Sequence, residues 1–554
     1  MAERFGKRWD GTQLPVVPKP SRFDPDELGT TNDVDMNIMV GAIQNGESHV
    51  EIRRYLDHFK KELIRTRIHT WVKEFPAIFY AVQTNDEKMI RLIAEFGGDV
   101  DACHGLSKIP LLGFTILSGN ATDKDTTSAV ITLLALGATA EVFPKSFYSP
   151  YSHDIPPEGP TDEHLQDLND ENKRWCKTMQ AKVAAALNLS QRYYLDKSTK
   201  IIKPSTRELQ LTGRRYATAL LGIPYLLVGQ NAAAALLKDY LLAHMLEDKE
   251  EKAPKPLVLV FAGPSGHGKT ELATQLGQLL AMELLVVDCT SMDHERDLFG
   301  GRRPWSGWEE GAKLNNFLAQ NDGRSSVVFL DEFEKTSEGV HNALLKPFDE
   351  GKYEDRRTTG TMIDTSRTIW IIATNAVDKQ IMRFWDKHQA ALSNEKCNPE
   401  GPQLIKKLCL EIRKEFKQRL KFVITGRING YIPFLPFSEP EQAVGVHKHL
   451  LELMKKLRKR VNLAPGEAER MLGDVRLHIQ RDATVSALVA EDNYDRDLGF
   501  RSLKNAVKDE VEREVIKKYL QKPALIAEDK EPMEYYLGES DGLLTISEKL
   551  EPLK

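Results

Sequence analysis

Three features that mark special classes of protein are missing from this chain of 554 residues. No uninterrupted apolar run reaches the roughly 18 residues that a membrane-spanning helix requires. The net charge is only −5 and the pI is near 6.3, so no basic excess favours a nucleic acid or an anionic membrane surface. Cysteine clusters are missing as well, because the five cysteines are scattered and lack the spacing of metal ligands: Cys103, Cys176, Cys289, Cys397 and Cys409. We therefore expect free thiols in a reducing compartment, no membrane span and no nucleic-acid partner.

The N-terminal segment also lacks the features of a targeting sequence. It carries acidic residues early, and it has neither the apolar core of a secretory signal nor the Ser- and Arg-rich amphipathic pattern of a transit peptide. These observations exclude secretion and predict a cytoplasmic protein, with a mitochondrial location as the alternative. Residues 1–34 are rich in Pro, Gly and Asp and are predicted to form a flexible leader.

Residues 35–145 show a repeating helical pattern. Pro76 and Pro110 each open a unit that continues with an apolar helix and ends on a leucine-rich helix followed by glycine. A spacing of 34 residues between the two prolines is close to the ankyrin period of about 33 residues, and the units resemble ankyrin repeats. The alternative is an unrelated all-α domain. Residues 146–205 are predicted to be a linker with a charged helix from about Thr161 to Ala186.

The strongest motif of the chain is a glycine-rich loop between an apolar run and a predicted helix. It comprises Gly263, Pro264, Ser265, Gly266, His267, Gly268, Lys269 and Thr270. The pattern G-x-x-x-x-G-K-T after a strand and before a helix is typical of a phosphate-binding loop, because glycines let backbone N–H groups surround a polyphosphate. Lys269 would reach the β- and γ-phosphates, and the hydroxyl of Thr270 would bind Mg²⁺. The motif therefore predicts ATP and Mg²⁺ as ligands.

Apolar segments alternate with helical segments downstream, as expected for a parallel sheet with helices on both faces. The five predicted strands are Leu257–Ala262, Glu283–Asp288, Ser326–Asp331, Thr368–Thr374 and Tyr431–Phe434. The third strand ends in Asp331, a candidate Mg²⁺ ligand, and Glu332, a candidate for polarising the attacking water. Asn375 follows the fourth strand, where its amide could orient that water.

These motifs occur in the order, and nearly in the wording, of the Clp-type AAA+ proteins, and they resemble the second ATPase ring of ClpB. The matching segments are Val228–Gln230, Gly263–Leu272, Trp305–Gly311, Val327–Lys335 and Leu344–Gly351. With the repeats upstream, the arrangement is similar to ankyrin-bearing, single-ring members of this family that act as mitochondrial protein disaggregases. The resemblance implies an α/β fold: a five-stranded parallel P-loop AAA+ sheet with a helical C-terminal lid, preceded by an all-α ankyrin-repeat domain. It places the large ATPase domain at 206–435 and the small lid domain at 436–554.

The resemblance also implies roles for individual residues. Val228 and Gly229 match the segment that holds adenine, Asn375 matches sensor 1, and Arg501 matches the sensor 2 arginine that contacts the γ-phosphate. Arg427 matches the arginine finger that reaches the ATP of a neighbouring subunit, although Arg419 lies close enough in sequence to compete for this role. A finger that acts on a neighbour requires a ring, and the family expectation is a homo-hexamer.

One loop is expected to touch the substrate. Trp305, Ser306, Gly307 and Trp308 occupy the place where the family carries an aromatic pore loop that grips unfolded polypeptide. An indole ring can hold polypeptide of any sequence through apolar area alone. The alternative is that both tryptophans lie in a core.

Together these features predict an ATP-hydrolysing motor that unfolds or disaggregates polypeptides by threading them through a pore. A protein partner is expected on the ankyrin-like repeats. Coupled proteolysis is not expected, because the loop with which the family docks a ClpP-like peptidase has no counterpart at the matching place. The alternatives are a nucleotide-switched regulatory ATPase, a nucleic-acid-remodelling motor and a scaffold with an inactive ATPase.

Overall fold

The computed structural model describes most of the chain. The described residues are 9–20, 23, 33–161, 163, 165–214, 217–246, 255–301, 309–358, 360–393, 400–419, 424–464, 466, 468–522 and 531–548. Strands are numbered in chain order: β1 (Trp71–Val72), β2 (Phe75–Pro76), β3 (Leu257–Ala262), β4 (Glu283–Asp288), β5 (Ser326–Asp331), β6 (Lys352–Glu354), β7 (Met362–Asp364), β8 (Thr368–Thr374), β9 (Gly430–Pro433), β10 (Val475–Ile479), β11 (Met533–Ser540) and β12 (Leu543–Ser547).

The chain divides into two compact units. One takes residues from the ranges Met1–Ile202, Ala443–Val489 and Val507–Lys554, and the other from Lys203–Gln442 and Ala490–Ala506. Within the described residues, no helix combines the length and the apolar character needed to cross a membrane.

The second unit is built on a five-stranded parallel sheet with the order β4-β5-β8-β3-β9. This confirms the predicted sheet, and the last strand begins one residue earlier than predicted, at Gly430. Successive side chains of β3 enter two different apolar clusters: Val258 and Val260 lie in one, Leu259 and Phe261 in the other. Because side chains alternate along a strand, a strand covered on both faces must be apolar throughout, as β3 is.

Helices cover this sheet. The α-helices of the second unit are Thr206–Arg214, Asn231–Leu246, Lys269–Leu279, Glu295–Phe299, Lys313–Gln320, Glu338–Asp349, Asp378–Ser393, Gly401–Arg419 and Phe500–Ala506. Short 3₁₀ helices lie at Thr218–Tyr225 and Phe333–Lys335. Strands β6 and β7 form an antiparallel hairpin. Helices Glu439–Leu457 and Asp482–Asn493 have residues in both units.

The N-terminal part of the first unit is helical. Its helices are Met36–Gln44, His49–Asp57, Lys61–Arg67, Ala77–Gln83, Glu87–Glu95, Leu111–Ala121, Thr127–Ala135, Gln180–Ala186 and Leu189–Lys200. The pairs that begin at Ala77 and Leu111 correspond to the two repeat units in the sequence. Each pair ends near a glycine in the left-handed region, Gly97 with φ 107° and Gly137 with φ 106°. The assignment to ankyrin repeats stays a prediction.

Two parts of this region differ from the sequence-based expectation. Residues 9–20 lie within the segment predicted as a flexible leader, yet Trp9 packs against Phe75 at 4.7 Å between ring centroids. Residues near Thr161 to Ala186 form short 3₁₀ segments, Gln166–Asn169 and Arg174–Thr178, before the α-helix Gln180–Ala186. The prediction of one long helix there was wrong, because the side chain of Asp170 accepts a hydrogen bond from the local backbone N–H of Asn172 and so competes with helix formation.

The C-terminal part of the first unit contains strands as well as helices. Strand β10 pairs in parallel with β11, which pairs antiparallel with β12. A π-helical turn at Val507–Glu512 leads into helix Arg513–Leu520. The predicted helical lid therefore carries a three-stranded sheet in addition to its helices.

Candidate active site

The glycine-rich loop connects β3 to helix Lys269–Leu279, as the sequence predicts. Three of its glycines have positive φ: 152° at Gly263, 72° at Gly266 and 94° at Gly268. A Cβ added at Gly263 would lie 2.6 Å from the carbonyl oxygen of Phe434. Glycine is therefore required by the backbone conformation and by close packing. The loop ends at the N-terminus of an 11-residue helix, where the helix dipole and free N–H groups favour a phosphate.

Lys269 is buried in this loop. Its Nζ donates to the carbonyl oxygens of Gly263 and Pro264 and to Oδ1 of Asn375, the last at 2.7 Å. Lys269 and Asn375 are therefore together in the structure, as the predicted sensor 1 role of Asn375 requires. Burial lowers the pKa of Lys269, although the nearby carboxylates oppose this shift.

The acidic pair stands at the end of β5. Asp331 Oδ1 accepts a hydrogen bond from the N–H of Glu332 at 3.1 Å, and burial raises the pKa of Asp331. Glu332 has φ 52°, and its carboxylate pairs with Lys335. Its side chain is about one-third exposed, which leaves it accessible to a water molecule.

Two further carboxylates lie near Lys269 that sequence reasoning did not identify. Glu334 Oε1 accepts from the N–H of Asn375 at 3.2 Å, and Asp378 begins the helix that follows. Burial raises the pKa of Asp378, while the charge of Lys269 lowers it. Glu334 could have been found from the sequence, because it is the third acid in the run from Asp331 to Glu334. Nothing in the sequence indicates that Asp378 lies near the loop.

The sensor 2 candidate also reaches the loop. Arg501 Nη1 donates to Ser265 Oγ at 2.7 Å, and the neighbouring Phe500 N–H donates to the carbonyl oxygen of Gly266 at 3.0 Å. Arg501 is separated from Ser265 by 236 positions. The structure thus brings this predicted residue to the phosphate-binding loop.

The predicted adenine segment lies beside the end of β9. Val228 is buried, and Gly229 has φ 62°. The next residue, Gln230, makes two hydrogen bonds with the backbone of Leu435, donating at 2.7 Å and accepting at 3.0 Å. A glutamine amide has one donor group and one acceptor, so it pairs with a backbone as a strand would. Gln230 therefore fixes the position of Val228 and Gly229.

The remaining predicted residues are not brought to this loop by the contacts described. Arg427 Nη2 lies 3.2 Å from Oδ2 of Asp349 in the same chain. Nothing is described of the side chain of Arg419, so its competition with Arg427 stays open. Trp305, Ser306, Gly307 and Trp308 lie outside the described residues, and the pore-loop role of these four residues stays a prediction.

The residues present fit a nucleotide with a divalent cation. The glycine loop offers N–H donors, Lys269 a cation, and Arg501 a second cation for a polyphosphate. Thr270 and Asp331 supply one hydroxyl and one carboxylate, and Mg²⁺ bound with phosphates needs only one or two protein ligands. Among the described residues, no group of three or more His, Cys, Asp or Glu side chains forms a separate metal site. The four described cysteines are free: Cys103, Cys176, Cys289 and Cys409.

Comparison with known proteins agrees with this geometry. Residues 255–429 match the family described as AAA domain (Cdc48 subfamily). The chaperone protein ClpB of Chlamydia pneumoniae is 26% identical over 291 residues, which cover 51% of this chain and 30% of that protein. The mitochondrial disaggregase of Homo sapiens is 30% identical over 285 residues, covering 47% of this chain and 36% of that protein. The mitochondrial disaggregase of Rattus norvegicus is 27% identical over 361 residues, covering 61% and 48%.

The chain therefore spans between 30% and 48% of the length of these curated relatives. Among solved structures, a closed-state reconstruction of Hsp104 with ATPγS and FITC-casein is similar at 18% identity and a TM-score of 0.45. The aligned part covers 76% of this chain and 68% of the Hsp104 chain.

Proposed function

Since the chain carries a Clp-type AAA+ ATPase domain, we propose that the protein hydrolyses ATP to unfold and disaggregate other polypeptides. The observation that carries the proposal is the convergence of distant motifs on one loop. Asn375 meets Lys269, and Arg501 meets Ser265, each at 2.7 Å. Side chains from three separate parts of the chain thus meet at the glycine-rich loop.

Each of these side chains has a different role in phosphoryl transfer. Lys269 and the loop N–H groups bind the β- and γ-phosphates, and Arg501 adds positive charge at the γ-phosphate. Thr270 and Asp331 would hold Mg²⁺, which neutralises charge on the phosphate oxygens when bound. Glu332 accepts a proton from the attacking water, and Asn375 orients that water. Burial of Lys269 strengthens its attraction to the phosphates, because water screens the charge less there.

Force on a polypeptide requires further elements, which we propose on the likeness to ClpB and the mitochondrial disaggregases. Subunits form a closed ring, with six as the family expectation, and Arg427 completes the ATP site of its neighbour. Trp305 and Trp308 grip unfolded or aggregated polypeptide through apolar contact. The compartment that we propose is the cytoplasm, with the mitochondrion as the alternative that the mitochondrial relatives support.

A second candidate is a nucleotide-switched ATPase whose helical repeats bind a protein partner. One observation favours it: Leu106 is 84% exposed and Trp71 is 49% exposed, both in the repeat region. The ring of Trp71 lies against Gly105, where an added Cβ would be 3.2 Å away. Exposed apolar side chains side by side are typical of a contact surface. Such a protein would hydrolyse ATP but would not thread a substrate.

Reactivation of aggregated luciferase by the purified protein with Mg-ATP tests the proposal. We expect reactivation by the wild type and none by Glu332→Gln. Trp305→Ala should keep ATP hydrolysis and lose reactivation, because it removes only the grip on the substrate. If the wild type hydrolyses ATP steadily but neither reactivates luciferase nor unfolds a model substrate, the motor is excluded and the switch remains.

A further inference from the structure

Three aromatic rings form a stack beside the phosphate-binding loop. The imidazole of His267, inside the loop, stacks on Phe437 with 5.1 Å between ring centroids and 2° between planes. Phe437 stacks in turn on Phe500 at 4.0 Å and 19°. His267 is fully buried and Phe437 is 4% exposed. We name these three residues the ring column; it joins the loop to the first residue of the sensor 2 helix, Phe500–Ala506.

The imidazole in this column is neutral and held in one orientation. Its Nδ1 is 2.8 Å from the carbonyl oxygen of Ser265, which accepts, so Nδ1 carries the proton. The other nitrogen, Nε2, is buried and has no hydrogen-bond partner among the described residues. Burial lowers the pKa of His267 to about 4, which excludes a charged ring at neutral pH. The histidine therefore contributes a flat surface and one bond to the loop backbone.

The backbones at the two ends of the column also touch. The N–H of Phe500 donates to the carbonyl oxygen of Gly266 at 3.0 Å. A Cβ at Gly266 would lie 1.8 Å from the carbonyl oxygen of Leu498, and one at Gly499 would lie 2.7 Å from the carbonyl oxygen of Gly266. Two glycines face each other here, which allows an approach that no other residue type permits.

Phe437, in the middle of the column, also borders the adenine segment. A Cβ added at Gly229 would lie 3.1 Å from Cδ1 of Phe437. One ring thus contacts the phosphate-binding loop, the sensor 2 helix and the segment that is predicted to hold the base. These three parts of the site are therefore joined through packed contacts of this ring.

We propose that His267 is a positioning residue that acts through the ring column to hold Arg501 at the phosphate-binding loop. Arg501 directly follows Phe500, so the place of the Phe500 ring and its backbone hydrogen bond determine where the Arg501 guanidinium lies. Loss of the column leaves Arg501 present in the chain but not at Ser265. This inference rests on the proposed ATPase activity for its kinetic consequence, but the docking itself can be measured without ATP hydrolysis.

The first test measures docking in the full-length protein without nucleotide. Hydrogen–deuterium exchange of peptides covering residues 498–506 is compared between wild type and His267→Leu, which keeps apolar volume but removes the ring and its hydrogen bond. We expect hydrogen exchange in this segment to accelerate about tenfold. Local opening becomes easier in the variant, because it no longer has to break the ring contacts of the column. The control is Phe143→Leu, which removes a buried ring that packs edge-to-face on Trp175 in the other unit and should leave this segment unchanged.

The second test measures ATP hydrolysis. We expect His267→Leu to lower kcat about tenfold with KM within about twofold, because Arg501 acts on charge that develops in the transition state. In an Arg501→Ala background the same substitution should lower kcat less than about twofold further, since residues that act as a unit are not additive.

A matched pair at the other end of the column guards against misfolding of the histidine variant. Phe500→Leu removes the ring and Phe500→Tyr keeps it; Phe500 is a partly exposed residue. We expect the leucine variant to behave as His267→Leu and the tyrosine variant as wild type. Unchanged exchange at 498–506, or an equal loss of kcat with and without Arg501, overturns the inference. A wild type that does not hydrolyse ATP overturns the proposed function instead, while the exchange measurement still decides the inference.

Discussion

At the scale of single residues, Glu332 is the side chain whose removal we predict to separate ATP binding from ATP hydrolysis. It follows the Mg²⁺ candidate Asp331 directly, and it is partly exposed. We predict that Glu332→Gln keeps ATP binding and lowers kcat by about 10² to 10⁴, the range of a general base. Steady-state hydrolysis and binding of a fluorescent ATP analogue measure the two properties. Glu350→Gln changes an exposed acid that directly follows helix Glu338–Asp349, and as the control it should leave kcat unchanged. Equal losses in both variants would contradict the assigned role.

His267 gives a pH dependence of stability with a definite sign. Burial lowers its pKa from the ordinary 6.5 to about 4, opposed by the hydrogen bond to Ser265; the charge of Lys269 lowers the pKa further and that of Asp497 raises it. The unfolded chain therefore binds the proton more readily than the folded chain between these two values, and stability falls as the pH drops below 6.5. From pH 7 to pH 5 this residue should reduce the free energy of unfolding by about 2 kcal/mol.

Thermal melting at several pH values checks that prediction. The acid-induced loss should be smaller by this amount in His267→Gln, which does not titrate. An identical pH profile for both proteins would show that His267 is not the group responsible.

At the scale of secondary-structure elements, helix Leu189–Lys200 is fixed by a buried ion pair within the first unit. Arg192 is 1% exposed and binds Asp482, whose side chain is 16% exposed, at the start of helix Asp482–Asn493. Ser190 Oγ also lies 2.8 Å from Nδ1 of His447. Removing one partner of a buried pair leaves the other charge uncompensated, which typically costs about 3–5 kcal/mol.

We therefore predict that Arg192→Met lowers the free energy of unfolding of the first unit by about 3–5 kcal/mol. The matched control is Arg53→Met, which breaks the exposed pair with Glu95 and should cost less than about 1 kcal/mol. Urea denaturation, monitored by the proteolytic susceptibility of the first unit, distinguishes the two variants. Similar costs for both substitutions would mean that Arg192 is not desolvated in solution.

Gly499 tests the close approach of the sensor 2 segment to the phosphate-binding loop. Gly499 and Gly542 both have positive φ, 52° and 77°, but a Cβ at Gly542 meets nothing within 4 Å. Gly499→Ala should therefore lower kcat by about tenfold through displacement of Arg501, an effect separate from backbone strain. Gly542→Ala should share only the strain cost of about 1 kcal/mol and keep its ATPase rate. A drop in rate for both variants would point to a general loss of stability.

At the scale of the whole molecule, the decisive property is whether Arg427 acts on a neighbouring subunit. Arg427→Ala and Glu332→Gln should each be inactive alone. Mixed before assembly in equal amounts, they should recover about a quarter of the wild-type interfaces, because in a closed ring an intact Glu332 then meets an intact Arg427 of the neighbour.

The rate of ATP hydrolysis by the mixture measures this recovery. Analytical ultracentrifugation in Mg-ATP monitors whether the subunits assemble. The control mixes Arg427→Ala with wild type. Every subunit then has an intact Glu332, so activity should follow the number of intact Arg427 residues. A mixture of Arg427→Ala and Glu332→Gln that assembles into rings but stays inactive would contradict a finger that acts between subunits.

The sequence predicted the parts whose conformation depends on near neighbours. Each core strand reads as an apolar run because both faces of β3, β5 and β8 are covered. The glycines at 263, 266 and 268 were recognisable because only glycine adopts these φ values freely. The acidic pair Asp331 and Glu332 was predictable because it stands directly at the end of an apolar strand. By contrast, the helix expected near Thr161 was lost to local side-chain hydrogen bonds that compete with helix formation.

The sequence by itself determined the order of the strands along the chain, the phosphate-binding loop and the acids that follow β5, because sterics and hydrogen bonding between near neighbours dictate these features. Only the tertiary structure decided which distant residues meet: Asp378 near Lys269, Gln230 with Leu435 across 205 positions, and Phe437 between His267 and Phe500. These contacts depend on how whole elements pack, and no local pattern of residues encodes the distance between two elements.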